Sequence, residues 1–216
     1  PQDSSSAASD VYKRQLSDVI KKFPVELDHL RELISGMEDD LYCAKYLRFE
    51  DLRRYCYRVA STVGLCLVEI YGYNDPNARR HAVEMGIYLQ MVNVLRDIQE
   101  DLSRNRIYLP TEELTKFGIT EEDLKSGKLS SSVGWQEFMR HYLDHVMAHR
   151  KNALGLLSLL DKDARYSPSL MCAAYDAILE EAMKRNGDVF TRRLTMSFYR
   201  KLQFALGIIR KPRLNL

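Results

Sequence analysis

A chain of 216 residues with 45% hydrophobic content is long enough to bury one sizeable core, and a net charge of +2 points to no polyanionic partner. Lysines and arginines are dispersed among the acids and form no stripe interleaved with aromatics, which argues against nucleic-acid binding. No apolar run approaches the roughly 20 residues of a membrane span, no secretory leader is visible, and Cys43, Cys56, Cys66 and Cys172 lack C-x-x-C spacing, so reduced thiols in a cytoplasmic setting are expected.

Residues 4–15, S-S-S-A-A-S-D-V-Y-K-R-Q, are small and polar without a core-forming period. They resemble a translated adapter peptide, so residues 1–15 are set aside as a non-native or disordered segment and residues 16–216 are taken as a single all-α domain. Helical periods with glycine and proline breaks predict helices near 25–38, 49–71, 76–103, 133–160, 168–186 and 188–209, and nothing alternates as a strand does. Glu38, Asp39 and Asp40 at the end of the first helix read as a solvated terminus. Over 49–71 the expected packed stripe is Leu52, Tyr55, Cys56, Val59, Val63 and Leu67. Ala60, Ser61 and Gly64 are small there, and a mid-helix glycine costs about 1 kcal/mol against alanine, so close helix packing or the wall of a hydrocarbon channel should need the space.

The helix over 76–103 carries N-V-L-R-D-I-Q-E-D at residues 93–101. At roughly 100° per residue, Gln90, Asn93, Arg96, Asp97, Glu100 and Asp101 share one arc, and Met91, Val94, Leu95, Ile98 and Leu102 take the other. Asn93, Asp97 and Asp101 climb about 12 Å, too far to close around one ion, so several hard cations bridged by phosphate suit them better, with Arg96 meeting phosphate oxygens. Taken alone, the run reads equally as a solvated face whose acids pair with Arg96 and Arg104. After Pro110 halts helical continuation, Thr111 and Thr120 are placed as N-caps and Gly118 and Gly127 as stops. His141, His145 and His149 have ligand spacing, but Met139, Leu143, Val146, Met147, Leu154 and Leu157 mark the buried stripe, which predicts a solvent-facing histidine row. The last helix sets Leu202, Phe204, Leu206, Ile208 and Ile209 among Lys201, Arg210, Lys211 and Arg213, a pattern that suits packing on the domain or a membrane surface.

Gly86 and Gln90 extend the acidic run to G-x-x-x-Q-x-x-N-x-x-R-D-x-x-E-D, followed by R-x-Y-L-P at residues 106–110. This resembles the second aspartate-rich motif of the squalene and phytoene synthase family, departing at Val94 and Asn105. Y-C-Y-R-V-A-S-T-V-G at residues 55–64 resembles that family's other signature, with Ser61 where glycine is frequent. The resemblance covers residues from about 25 to 210 and implies an all-α isoprenoid synthase bundle around a central cavity. It also implies head-to-head condensation of two geranylgeranyl diphosphates to phytoene through a cyclopropylcarbinyl diphosphate. A squalene or dehydrosqualene synthase using farnesyl diphosphate and a noncatalytic helical member remain as alternatives.

The resemblance implies Mg2+, with Mn2+ as a substitute, held by Asn93, Asp97 and Asp101; Tyr55, Asp97 and Asp101 as catalytic; and Val59, Ala60, Gly64, Gln90, Arg96, Arg106, Tyr108 and Tyr175 toward the substrate. The family's first acidic motif, a D-x-x-x-D helix, belongs upstream of I-S-G-M-E-D-D-L, so the chain reads as a fragment lacking its N-terminal helices and able to be inactive alone. Glu38, Asp39 and Asp40 align with the later G-M-x-x-D-L stretch. A monomer, peripheral on a membrane if attached at all, is the expected state.

Overall fold

Apolar side chains on almost every side of residues 78–98 demand a helix surrounded by others, and the computed structural model, which describes residues 3–42 and 45–205, has that helix at its centre. In chain order the helices are α1 (Asp3–Lys22), α2 (Leu27–Leu41), α3 (Phe49–Cys56), a π-helical turn (Tyr57–Ser61), α4 (Thr62–Tyr71), α5 (Asn77–Ser103), α6 (Thr111–Lys116), α7 (Glu121–Ser126), α8 (Val133–Ala153), α9 (Leu156–Leu159), α10 (Tyr166–Lys184) and α11 (Phe198–Ala205). The class is all-α: among the described residues the only β-type pairing is one bridge between Tyr73 and Leu160.

The central helix α5 packs against α4, the π turn, α8, α9 and α10. Polar pins fix its neighbours. Tyr142 on α8 donates to the Met91 carbonyl at 2.9 Å, and Trp135 Nε1 donates to the Gly187 carbonyl at 2.9 Å. Arg150 on α8 grips Asp176 on α10 through bonds of 2.7 and 2.8 Å, and Tyr88 on α5 donates to the same carboxylate at 2.6 Å. Arg150 and Asp176 are both buried, so each supplies the polar partner that water would otherwise be.

The helix predicted over 49–71 forms, interrupted by the π turn. One extra residue in that turn rotates the buried side by about 100°. Leu52, Tyr55 and Cys56 face the core before it, and Ser61, Thr62, Leu65 and Val68 after it. Val63, expected in the packed stripe, is therefore 38% exposed, and Leu67 is only half-buried. Two glycines clamp the turn. A Cβ on Gly36 of α2 would stand 2.7 Å from Val59 Cγ1, and one on Gly86 of α5 would stand 2.4 Å from Ser61 Cα and 2.7 Å from the Ala60 carbonyl carbon. Ser61 Oγ donates to the Val83 carbonyl at 2.7 Å, and Thr62 Oγ1 to the Arg58 carbonyl at 2.6 Å, a back-bond of the kind that bends helices. The space left by Gly64 is taken by α5, whose Ala82 carbonyl oxygen lies 3.1 Å from where a Cβ would be, so close helix packing is what needs that glycine.

Four further expectations change. The segment before residue 16 is helical from Asp3, as part of α1, but the side chains of residues 10–16 are exposed and contribute nothing to the core. The helix expected over 133–160 stops at Ala153, because Gly155 lies where a Cβ would be 2.5 Å from the His81 ring, and His81 Nδ1 instead donates to the Asn152 carbonyl at 2.6 Å. The histidine row of α8 is half-buried instead of solvent-facing. Phe49 stacks on His145 at 3.9 Å between centroids and meets His141 edge-on, while His149 Nδ1 sits 2.8 Å from Glu84, because α3 and α5 flank that side of α8. Finally, residues 188–197 are not helical: Asn186 and Gly187 take positive φ, and Asp188 caps the loop by accepting from Ser130 Oγ, Phe190 N and Thr191 N. The helix resumes only at Phe198; the side chain of Phe204, residues 206–216 and Cys43 lie outside the described residues. Cys56, Cys66 and Cys172 are free thiols.

Candidate active site

The acidic arc of α5 is laid out as its period predicts. Met91, Val94, Leu95 and Ile98 are buried, while Gln90, Asn93, Arg96, Asp97, Glu100 and Asp101 are half-buried along the other side. Asn93 Nδ2 donates to Gln90 Oε1 at 3.1 Å, which leaves Asn93 Oδ1 buried without a partner. Arg96 donates to Asp97 through Nε at 3.0 Å and Nη2 at 2.6 Å, and the Tyr175 phenol of α10 interacts with the same guanidinium. Arg193, from the loop after α10, also donates to Asp97 and lies 3.4 Å from Glu100.

These neighbours set the charges. Burial works to raise the Asp97 carboxyl, but hydrogen bonds from Arg96 and Arg193 outweigh it and hold the group below the usual carboxylate range. Asp101 is pushed up to about 6, by burial first and then by the charges of Asp97 and Glu100, with Arg106 and Arg104 opposing. Asp101, Arg106 and Tyr108 line a cavity of about 10 Å³ with Val94, Ile98 and Leu124, room for roughly one water.

Asn93, Asp97 and Asp101 are oxygen donors one turn apart, and among the described residues no three His, Cys, Asp or Glu side chains converge on a single-ion site. Oxygen donors spread along a face, with one buried amide oxygen unpartnered, fit Mg2+ shared between protein and phosphate better than a closed protein cage.

A second cluster lies where the α5–α6 loop meets the end of α2. Asp40 Oδ1 accepts from Tyr55 at 3.0 Å and from Tyr108 at 2.7 Å. The Tyr55 and Tyr108 rings stack at 5.0 Å, and Tyr46 stands 5.1 and 5.8 Å from them. Backbone bonds from Thr111 N to the Tyr46 carbonyl and from Glu112 N to the Leu47 carbonyl pin the R-I-Y-L-P segment to this linker. Asp39 and Asp40 are thus not a solvated helix end: only Glu38 is exposed, and Asp39 binds Arg58, which also holds Glu32.

Among the residues expected at the site, then, Gln90, Asn93, Arg96, Asp97 and Tyr175 come together, as do Asp101, Arg106 and Tyr108, and Tyr55 with Tyr108. Val59 and Ala60 occupy the π turn, half-buried, and Gly64 faces Ala82. Asp40, Tyr46 and Arg193 join these clusters although none was expected at the site; Asp40, read as part of a solvated helix end, meets its partners across 15 and 68 residues of sequence.

An all-α bundle whose central helix turns an oxygen-donor face toward arginines and tyrosines has the architecture of the isoprenoid synthases. The chain belongs to the squalene/phytoene synthase family, whose model matches residues 3–200. It is 36% identical over 199 residues to 15-cis-phytoene synthase of Synechococcus elongatus, an alignment covering 87% of this chain and 64% of that protein. It is 34% identical over 199 residues to the chloroplastic phytoene synthase 2 of Zea mays, covering 89% of this chain and 49% of that one. The crystal structure of a dehydrosqualene synthase in complex with ligand matches with a TM-score of 0.79 at 26% identity, over 90% of this chain and 68% of that one. Squalene synthase HpnC from Alicyclobacillus acidocaldarius gives 0.75 at 26% identity, over 80% of this chain and 65% of that one. The chain spans less than two thirds of the length of either curated relative.

Proposed function

We propose that this chain belongs to a head-to-head prenyltransferase that joins two geranylgeranyl diphosphates into phytoene through a cyclopropylcarbinyl diphosphate. One observation carries the proposal: Asn93, Asp97 and Asp101 share the half-buried face of α5 with Arg96, with Tyr175 and Arg193 beside it. Asn93, Asp97 and Asp101 would hold Mg2+, or Mn2+ in its place. When bound, the metal supplies positive charge that stabilises the departing diphosphate. Arg96, Arg106 and Arg193 bind the diphosphate oxygens and spread the charge that grows as the carbon–oxygen bond breaks. Tyr175 orients the Arg96 guanidinium. Tyr55 and Tyr108 present phenolic oxygens to the carbocation, and the apolar residues around Val59 and Ala60 keep out the water that would quench it.

The similarity to a dehydrosqualene synthase structure supports a second version of the same chemistry, with farnesyl diphosphate as substrate. A monomer that rests on a membrane surface in the cytoplasm suits substrates with long apolar tails; no described helix is long and apolar enough to cross a membrane. The test is product analysis of the full-length protein supplied with Mg2+ and either prenyl diphosphate. Geranylgeranyl diphosphate is expected to give diphosphate and a forty-carbon hydrocarbon, and Asp97→Ala to abolish turnover. Undiminished turnover in Asp97→Ala would remove the metal assignment.

A further inference from the structure

Asp40 is set apart by what it binds. Its Oδ1 accepts the hydroxyls of two tyrosines that come from different parts of the chain, at 3.0 and 2.7 Å. Tyr46 completes the cluster as a third, 6% exposed ring whose buried hydroxyl has no partner. A cluster built for stability alone would carry phenylalanine there, because a buried unpaired hydroxyl costs about 1–3 kcal/mol.

We propose that Asp40 is a positioning residue for the condensation, acting through Tyr55 and Tyr108. The inference rests on the prenyltransferase function proposed above. A phenol that donates its proton to a carboxylate cannot turn that proton toward a cation, and the bond makes its oxygen more electron-rich. One carboxylate therefore holds two phenolic oxygens with their lone pairs turned away from α2 and available to positive charge on carbon. Rotated hydroxyls would instead offer a proton, the wrong pole of the dipole.

The phenols stay protonated in this arrangement. Burial above all, followed by Tyr108 and Asp40, pushes the Tyr55 phenol far above its ordinary value, and burial and the bond to Asp40 push Tyr108 up to about 12. Asp40 is thus the acceptor for two neutral donors, with Arg58 engaged beside it by Asp39.

The experiment is a mutant cycle in the full-length protein with Mg2+ and geranylgeranyl diphosphate, comparing Asp40→Asn, Tyr55→Phe with Tyr108→Phe, and all three together. Asp40→Asn is expected to lower kcat at least tenfold with KM within twofold, and to raise the share of prenyl alcohol formed by water capture. In the protein lacking both phenols, Asp40→Asn should cause no further loss, since its partners are gone. Full activity of Asp40→Asn, or losses that multiply in the combined variant, overturns the proposal. Wild-type NMR supplies a readout independent of any folding defect: the hydroxyl protons of Tyr55 and Tyr108 should appear as protected downfield resonances, and their absence also overturns it. A wild type that forms no hydrocarbon overturns the synthase function and the role of Asp40 with it, whereas an active wild type with unaltered Asp40→Asn overturns the latter alone.

Discussion

Adding one methyl group at Gly86 would press α5 away from the π turn, and the size of the effect follows from three distances. The new Cβ would stand 2.4 Å from Ser61 Cα, 2.5 Å from Ser61 N and 2.7 Å from the Ala60 carbonyl carbon. All three are backbone atoms, so no side chain can rotate aside. Overpacking of this kind costs about 3 kcal/mol, the upper end of the usual range. Parting the helices also strains the bond from Ser61 Oγ to the Val83 carbonyl, worth about 1 kcal/mol. Against this, alanine gains about 1 kcal/mol of helix propensity over glycine. The net for Gly86→Ala is a destabilisation of about 3 kcal/mol, or roughly 6–12 °C in Tm for a chain of this size. Urea titration followed by far-ultraviolet circular dichroism measures it as a lower midpoint at unchanged slope. Gly118→Ala is the control: Gly118 has φ +71 with nothing within 4 Å of its Cβ position, so only the left-handed backbone is penalised, by about 1 kcal/mol. A Gly86→Ala protein as stable as Gly118→Ala would refute the clamp.

Removing one partner of the buried pair, in Arg150→Met or Asp176→Leu, should destabilise by about 3–5 kcal/mol, while the double replacement should recover much of the loss; similar unfolding midpoints for the singles and wild type would contradict the pairing. Arg193→Ala should raise the Asp97 carboxyl toward its usual range, because one of the two guanidinium donors that lower it is gone, and a carboxyl NMR titration with no upward shift would show that Arg193 does not reach it. Asp188 works in the opposite pH region to a raised group. Burial opposes its ionisation, but donors from Ser130, Thr191 and Phe190 bring it down to about 2, below its unfolded value of 3.8, so its contribution is present above about pH 4 and drains as pH falls through 2. The stability gap between wild type and Asp188→Ala should therefore narrow between pH 4 and 2, and a gap that stays constant would dismiss the ionised cap.

How much of the site is legible in the chain depends on how local its geometry is. The acidic arc of α5 follows from a count of 3.6 residues per turn, because every member sits on one uninterrupted helix. The same count fails over residues 49–71, where the π turn adds a residue and carries Val63 out of the core and Ser61 into it. It fails again on α8, where His141 and His145 leave solvent because Phe49 of another helix lies on them, and His149 because it meets Glu84 of α5. The break near residue 187 is legible from its glycine, but its extension to residue 197 turns on what Asp188 finds to accept, which no hydrophobic period encodes.

The order of residues was enough to determine an all-α chain, its central helix, the oxygen donors on one face of that helix and a resemblance carried by two motifs. Those properties depend on neighbours three and four positions apart, where rise and rotation are fixed by the peptide bond. Packing alone decided that Asp40 joins Tyr55 and Tyr108, that Arg193 reaches Asp97, and that Gly36 and Gly86 both press on the π turn. Each of these joins segments distant in sequence, and their meeting is fixed by how closely two helices can approach, a distance that only the assembled core sets.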